Sequence, residues 1–294
     1  MALRSWLFVP GDSEKKLSKA AATGADVIIL DLEDSVAHAN KAQARDLVVA
    51  WLGAHRAHVT GGKRQGRWVR INALDSRLWR DDLIAVLRGA PDGIMLPKAM
   101  GPESVVQLAA ELYELEGRSG VPAGSTKILP LVSETAAAAV SIPSYVAASL
   151  PRLAGLTWGA EDLSAAIGAT RKRDKLGEWT DAFRFARSQT LLTAHAKGVF
   201  AIDTLHADFA DDKGLKRAAE NARADGFSGM LAIHPAQIPI INAAFTPSEE
   251  ELAEARAIVA AFQSNPDAGA LQIDRRMIDR PHLKLAQRVL GIGE

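Results

Sequence analysis

The fold this sequence predicts is an α/β (β/α)₈ TIM barrel with a C-terminal helical extension. Three observations predict it. Short apolar, β-rich runs alternate with longer helical stretches through eight repeats. The turn after the first run reads VPGDSEKK, which is neither the G-x-G-x-x-G of a dinucleotide fold nor a P-loop. Nearly every run also ends in a charged or polar residue, as expected where barrel strands converge on one mouth.

The elements follow in order. Trp6–Val9 is the first strand, closed by Pro10–Gly11; Asp12 or Ser13 caps a helix running to Thr23, and Gly24 ends it. Val27–Leu30 is the second, with a helix from Asn40 to Leu52. Trp68–Asn72 is the third, with a helix from Leu78 to Leu87. Gly93–Pro97 is the fourth, with a helix from Glu103 to Glu116. Lys127–Val132 is the fifth, followed by an Ala-rich helix over Thr135–Val140. Leu156–Gly159 is the sixth, with one long helical region reaching Ala196. Val199–Ile202 is the seventh, with a helix over Lys213–Ala224. Met230–Ile233 is the eighth, with helix near Ile238 and again from Ser248 to Phe262. The punctuation of QSNPDAGA then reads as a linker, and Leu283, Ala286 and Leu290 space one more amphipathic helix. The expected division is a barrel over 1–263 and a tail over 264–294.

Composition narrows the chemistry. The 294 residues hold 35 basic and 35 acidic side chains, so the formal charge is zero, which argues against a basic nucleic-acid binder. Cys is absent, which excludes disulfides, cysteine metal sites and a cysteine nucleophile. No apolar run approaches the roughly 18 residues of a membrane span. The first residues lead straight into a strand, without a signal-peptide layout. A cytoplasmic protein with neither nucleic-acid nor membrane partners is expected.

The strand ends deliver Asp31, Glu33 and Asp34, then Arg70 and Asn72, Lys98, Glu134, Glu161 with Asp162, Asp203 and His234. Unpaired carboxylates gathered at one level raise each other's pKa, and a divalent cation relieves that repulsion. Glu134 and Asp162 follow neighbouring strands and are the candidate Mg²⁺ ligands, since that ion takes one or two carboxylates plus waters and substrate. A helix N-terminus is the alternative setting for Asp162. His ligation is not expected: His55 and His58 suit an exposed helix end, His195 is mid-helix without a partner, and His234 suits packing in the mouth. Arg70, inside the apolar run WVRIN, needs an anion, either a strand-two acid or a substrate carboxylate held bidentately. Lys98 could form a Schiff base with a carbonyl substrate, although neighbouring acids would keep it protonated.

Taken together these motifs resemble the citrate lyase β-subunit-like and malyl-CoA lyase branch of the HpcH/HpaI aldolase superfamily. The segments are RSWLFVPG, DLEDSV, KAQAR, VRINALDS, LPKA, VSETA, WGAEDL, AIDT, IHPAQI and RMIDRPHLKLAQRVL, in order from Arg4 to Leu290. The resemblance implies a Mg²⁺-dependent lyase (Mn²⁺ a possible substitute) acting on a carboxylated 3-hydroxyacyl-CoA thioester to give an acyl-CoA and a 2-oxo acid. It implies Glu134 and Asp162 as metal ligands and Arg70 as the substrate-carboxylate residue. Gly159, Ala160 and Glu161 join Arg70 and Glu134 as expected substrate contacts. It also implies a catalytic Asp279 from the tail of a neighbouring subunit in a homo-oligomer, a trimer or hexamer. A plain N-cap before Pro281 is the alternative for Asp279. Asp31, Glu33, Asp34 and Asp203 are expected to orient metal waters and Arg70; Lys16, Arg45, Lys98 and Pro235 are weaker candidates for CoA contact. Alternatives to a CoA lyase are a citryl-carrier subunit of a citrate lyase complex, a Schiff-base aldolase, and an idle interaction subunit.

Overall fold

A computed structural model describes residues 3–57, 59–60 and 63–292. Ser5–Pro10 (β1) is followed by α1 (Glu14–Ala20), whose N-terminus is capped by the Ser13 side chain, and Val27–Asp31 (β2) by α2 (Lys41–Ala54). A two-stranded hairpin, Val59–Thr60 (β3) with Lys63–Arg64 (β4), precedes Gly66–Arg70 (β5) and α3 (Trp79–Val86). Then come β6 (Gly93–Leu96), α4 (Pro102–Ser119), β7 (Lys127–Pro130), α5 (Ala136–Ser141), β8 (Gly155–Thr157) and α6 (Ala160–Ile167). Next are α7 (Asp181–Lys197), β9 (Phe200–Asp203), α8 (Asp212–Asp225), β10 (Gly229–Ala232) and α9 (Gln237–Ala244). The chain ends with α10 (Glu249–Ser264), the hairpin β11 (Ala270–Ile273) and β12 (Arg276–Asp279), and α11 (Arg280–Leu290).

Eight strands pair in parallel in the order β7-β6-β5-β2-β1-β10-β9-β8. Bridges from Ile128 to Leu153 and from Leu131 to Thr157 then bring β7 against β8, leaving a nearly closed barrel. All eight predicted runs are barrel strands. Their interior is packed by Trp6, Val27, Ile29, Trp68, Met95, Leu129, Leu131, Ile202 and Leu231, with the Trp6 and Trp68 rings meeting edge-on at 5.2 Å. Packing at this level excludes side chains from some positions: a Cβ on Gly93 would come within 2.4 Å of the Trp68 ring.

The alternation of a strand carries this interior face up to the mouth. Asp31 lies two residues past Ile29, and Arg70 two past Trp68, so both share the inward side. Asp31 and Arg70 are also register partners on adjacent strands. Their proximity is therefore set by the same pattern that fills the core.

Two compact units divide the described residues, one holding the barrel up to residue 243 and the other running from residue 244 to residue 292. The boundary falls before α10, whereas the sequence reading runs the barrel domain to 263. In the second unit Ala255, Ile258, Val259 and Phe262 of α10 pack with Ile278 and Ala286. Two further expectations are corrected. The long helical region after the sixth strand is two helices, because Gly168 closes α6 at φ +68° and a loop intervenes. The linker and first part of the tail hold the β11–β12 hairpin, whose Asp274–Arg275 turn has positive φ at both residues and carried no Gly signal. Among the described residues no helix is long and apolar enough to cross a membrane.

Candidate active site

A cavity of about 560 Å³ opens at the C-terminal ends of the strands. Its wall includes Arg70, Asp31, Glu134, Gly159, Ala160, Glu161 and Asp162, with Lys16 and Pro235 at other points and Phe8, Leu131, Trp158 and Leu231 supplying apolar surface. Most of the expected site residues thus converge on one space.

Arg70 is the centre of the charged group. Its Nε and Nη2 donate to the two oxygens of Asp31, each at 2.7 Å, and Nη1 lies 3.0 Å from Glu33 Oε2. Its guanidinium also sits over the Phe8 ring at 4.8 Å. The strand-two acid is therefore a partner of Arg70. Of the five guanidinium N–H donors, Asp31 takes two and Glu33 faces a third, so the remainder can serve a bound anion. Burial by itself lowers the Arg70 pKa, yet the Asp31 charge and hydrogen bonds outweigh it and raise the pKa above its ordinary value. For Asp31, 1% exposed, burial likewise opposes ionisation, and Arg70 reverses this to hold the carboxyl below its ordinary value. Glu33 differs: burial raises its pKa despite Arg70 and Lys98.

The acidic turn after β2 is braced from behind by Lys41, Asn72, Asp82 and Arg45, a role that sequence reasoning missed. The buried Lys41 Nζ donates to the carbonyls of Leu32 and Glu33 at 2.6 and 2.8 Å and to Asn72 Oδ1 at 2.8 Å. Asn72 donates to Asp82 through both its amides, and Asp82 accepts from Arg45 Nε at 2.8 Å. Arg45, an expected CoA contact, belongs to this brace and is not among the cavity-lining residues. Its place in the motif KAQAR marked it, but only the contact with fully buried Asp82 reveals the job.

Glu134 follows β7, and Asp162 lies in the first turn of α6. The two segments are held together by Ser133, whose hydroxyl accepts from Gly159 N at 3.1 Å and lies 3.4 Å from the Gly159 carbonyl. A Cβ at Gly159 would stand 3.1 Å from Glu134 Cγ, so any larger residue there would crowd the Glu134 side chain. Glu134 is 4% exposed, and burial pushes its carboxyl up to about 8; the Lys98 amide opposes this, while the charges of Asp162 and Glu33 add to it. Among the described residues no group of three or more His, Asp and Glu forms a ready cage. The donor set fits Mg²⁺ nonetheless: two hard carboxylates that repel each other, with Arg70 and Lys98 hydrogen-bonded to Asp31 and Glu33 and Arg70 only partly offsetting the charge of Glu134.

The remaining expectations sort as follows. Lys98, an expected CoA contact, has its Nζ on Glu33 and 3.4 Å from Asp34 Oδ2. Burial lowers and the Glu33 bond raises its pKa, with the bond prevailing, so a neutral Schiff-base nucleophile is disfavoured. Asp203 accepts from Trp158 Nε1 at 2.6 Å and pairs with Arg187 at 2.9 Å; it holds the cavity-lining indole, in place of the expected contact with Arg70. Glu161 pairs with Lys172. His234 is in the wall, stacked on Phe209; His195 contacts the Gly226 carbonyl, and His55 stacks on Trp51. His58 lies outside the described residues.

In the second unit Asp279 is the N-cap of α11 in a reciprocal capping box with His282, with Pro in the first turn. The capping alternative is therefore realised in this chain. The His282 hydrogen bond holds its carboxyl below the ordinary range.

The chain is similar over most of its length to known proteins. The profile of the HpcH/HpaI aldolase/citrate lyase family matches residues 4–235. A citrate lyase subunit beta-like protein of Mycobacterium tuberculosis is 39% identical over 285 residues, covering 97% of this chain and 93% of that protein. The mitochondrial citramalyl-CoA lyase of Rattus norvegicus is 34% identical over 301 residues, covering 99% and 86%. The crystal structure of CitE from Mycobacterium tuberculosis, in complex with magnesium, acetoacetate and coenzyme A, superposes with a TM-score of 0.77 at 38% identity, covering 99% of this chain and 97% of that one.

Proposed function

The chain belongs to the HpcH/HpaI aldolase/citrate lyase family, a family of carbon–carbon lyases, and from that premise we propose a Mg²⁺-dependent CoA-thioester lyase. Its reaction is reversible Claisen-type cleavage of a malyl-CoA- or citramalyl-CoA-like thioester to an acyl-CoA and a 2-oxo acid. The observation that carries the reading is the buried Glu134, made reluctant to ionise, beside Asp162 in the same cavity as the Asp31-braced Arg70.

Glu134 and Asp162 would hold Mg²⁺, and the ion supplies Lewis-acid polarisation of the oxygen that becomes the oxo-acid carbonyl. Arg70 uses its remaining N–H donors to fix the carboxylate of the departing acid. Asp31 keeps the guanidinium plane in place, so this interaction needs little reorganisation as charge develops. As the C–C bond breaks, the hydroxyl gives up its proton to solvent while its oxygen becomes the oxo-acid carbonyl, and the bonding pair passes to the thioester fragment as an enolate, which must gain a proton at carbon. Asp279, from the tail of a neighbouring copy and ionised at rest, would take that carbon proton in condensation and, once carrying a proton, return it in cleavage. Lys16 and Pro235, in the cavity wall, would meet the CoA portion. The homo-oligomer is accordingly a trimer or hexamer, acting in the cytoplasm.

The test is a purified-protein assay of acetyl-CoA or propionyl-CoA with glyoxylate or pyruvate, with Mg²⁺, with Mn²⁺ and with chelator. Metal-dependent C–C bond formation is expected. No turnover with any pair would refute the proposal. The citryl-carrier alternative is favoured by the name of one relative, while the neighbouring structure with coenzyme A bound favours a CoA substrate. Comparing CoA and carrier-protein thioesters separates them.

A further inference from the structure

Lys98 follows β6 by way of Pro97, and its backbone lies at φ +50°, in the left-handed region. A residue bearing a Cβ pays for that region in steric crowding and stays there only when its surroundings enforce it. The other non-glycine residues with positive φ have local reasons: Ala90 ends a helical turn, and Asp274 and Arg275 form a hairpin turn. Lys98 instead stands among the carboxylates of the site and is fastened at both ends. Its amide N–H donates to Glu134 Oε2, and its ammonium donates to Glu33 with Asp34 beyond.

We infer that Lys98 is a positioning residue for the metal carboxylate: its left-handed backbone aims the amide at one oxygen of Glu134, and its ammonium anchors that turn on Glu33. This rests on the reading of Glu134 as a Mg²⁺ ligand. One Glu134 oxygen is thereby held in place while the other is left for the ion, the kind of outer support that orients metal ligands. The side chain does not touch the ion; it acts through the conformation of its own backbone.

The strain makes this testable. Lys98→Ala loses the anchor but keeps the Cβ, so the turn relaxes and the amide leaves Glu134. Lys98→Gly loses the same anchor yet occupies left-handed conformations at no steric cost. Mg²⁺ is titrated calorimetrically into the chelator-stripped full chain of the parent and both variants, with melting in chelator to verify folding. Lys98→Ala should bind Mg²⁺ at least about 10-fold more weakly than the parent. Lys98→Gly should bind about fivefold more tightly than Lys98→Ala. Equal affinities in the two variants, whether weakened or at the parent level, would overturn the inference. A rise in KM for the CoA thioester without any change in Mg²⁺ affinity would also overturn it, and would return Lys98 to CoA contact. Failure of the parent itself to bind Mg²⁺ would overturn both this inference and the metal reading beneath it.

Discussion

Replacing Glu134 by Gln should stabilise the metal-free protein at alkaline pH and abolish its response to Mg²⁺. The carboxyl is raised from its ordinary 4.5 to about 8 in the folded, metal-free chain, and at 4% exposure solvent does little to screen it. Because the folded value lies above the unfolded one, the folded state keeps a proton that the unfolded state releases. Stability therefore falls as pH rises from 4.5 and stops falling above about 8. With about 1.36 kcal/mol for each pH unit, the full cost is about 5 kcal/mol. Gln is isosteric and, like the protonated carboxyl, can still accept from the Lys98 amide; the stronger bond to the ionised form is already contained in the shifted pKa. In chelator near pH 9, Glu134→Gln should then exceed the parent by about 4–5 kcal/mol in urea unfolding; near pH 4 the two should agree within about 1 kcal/mol. Excess Mg²⁺, at about 100 times its dissociation constant, should stabilise the parent by about 2.7 kcal/mol and the variant hardly at all. Equal stability at both pH values in chelator, or a variant stabilised by Mg²⁺ as strongly as the parent, would refute the reasoning.

Other substitutions probe separate parts of the argument. Asp162→Ala should abolish lyase turnover with the circular dichroism spectrum intact; retained Mg²⁺-dependent turnover would remove Asp162 from the metal centre. Arg70→Lys keeps the charge but cannot hold Asp31 and a substrate carboxylate together, so kcat/KM should fall about 100-fold or more, measured by coupled assay. Mixing Asp279→Ala chains with Arg70→Ala chains should restore partial activity in hybrid oligomers, and absence of recovery despite demonstrated subunit exchange would count against a tail that serves its neighbour. Away from the site, buried Glu116 accepts two hydrogen bonds from Arg152 at 2.7 Å and two from backbone amides, which brings its pKa down to about 2 against the opposing effect of burial. A depressed folded value means stability that is complete above 4.5 and lost as pH falls toward 2. Glu116→Gln should thus cost about 3 kcal/mol at neutral pH in urea unfolding, a deficit that shrinks on acidification.

The relation between pattern and site is clearest at Arg70. An arginine two positions beyond Trp68 on an apolar strand must share the inward face, so its need for an anion was legible in WVRIN. Which anion was not legible, because a strand-two acid and a substrate carboxylate satisfy the same chemistry; the β2–β5 register decided for Asp31 and left other donors for an anion. Arg45 and Lys98 show the opposite case. Each is a basic residue in a suggestive motif, yet the contacts that occupy them, Asp82 and Glu33, come from other strand–helix units. Ser133 and Lys41 lie in the motifs VSETA and KAQAR, but their roles were not legible, since a serine joining two strand ends and a buried lysine on three oxygens exist only once distant segments meet.

By itself the sequence determined the eight-strand alternation and the convergence of Glu134, Asp162 and Arg70 at one mouth. Periodicity is local, and eight local periods suffice to specify a barrel. Only the tertiary structure decided the partners of those charges, the left-handed turn at Lys98 and the reluctance of Glu134 to ionise. Burial and Coulomb interaction depend on which groups are brought together from strands far apart in the chain, and no stretch of sequence carries that sum.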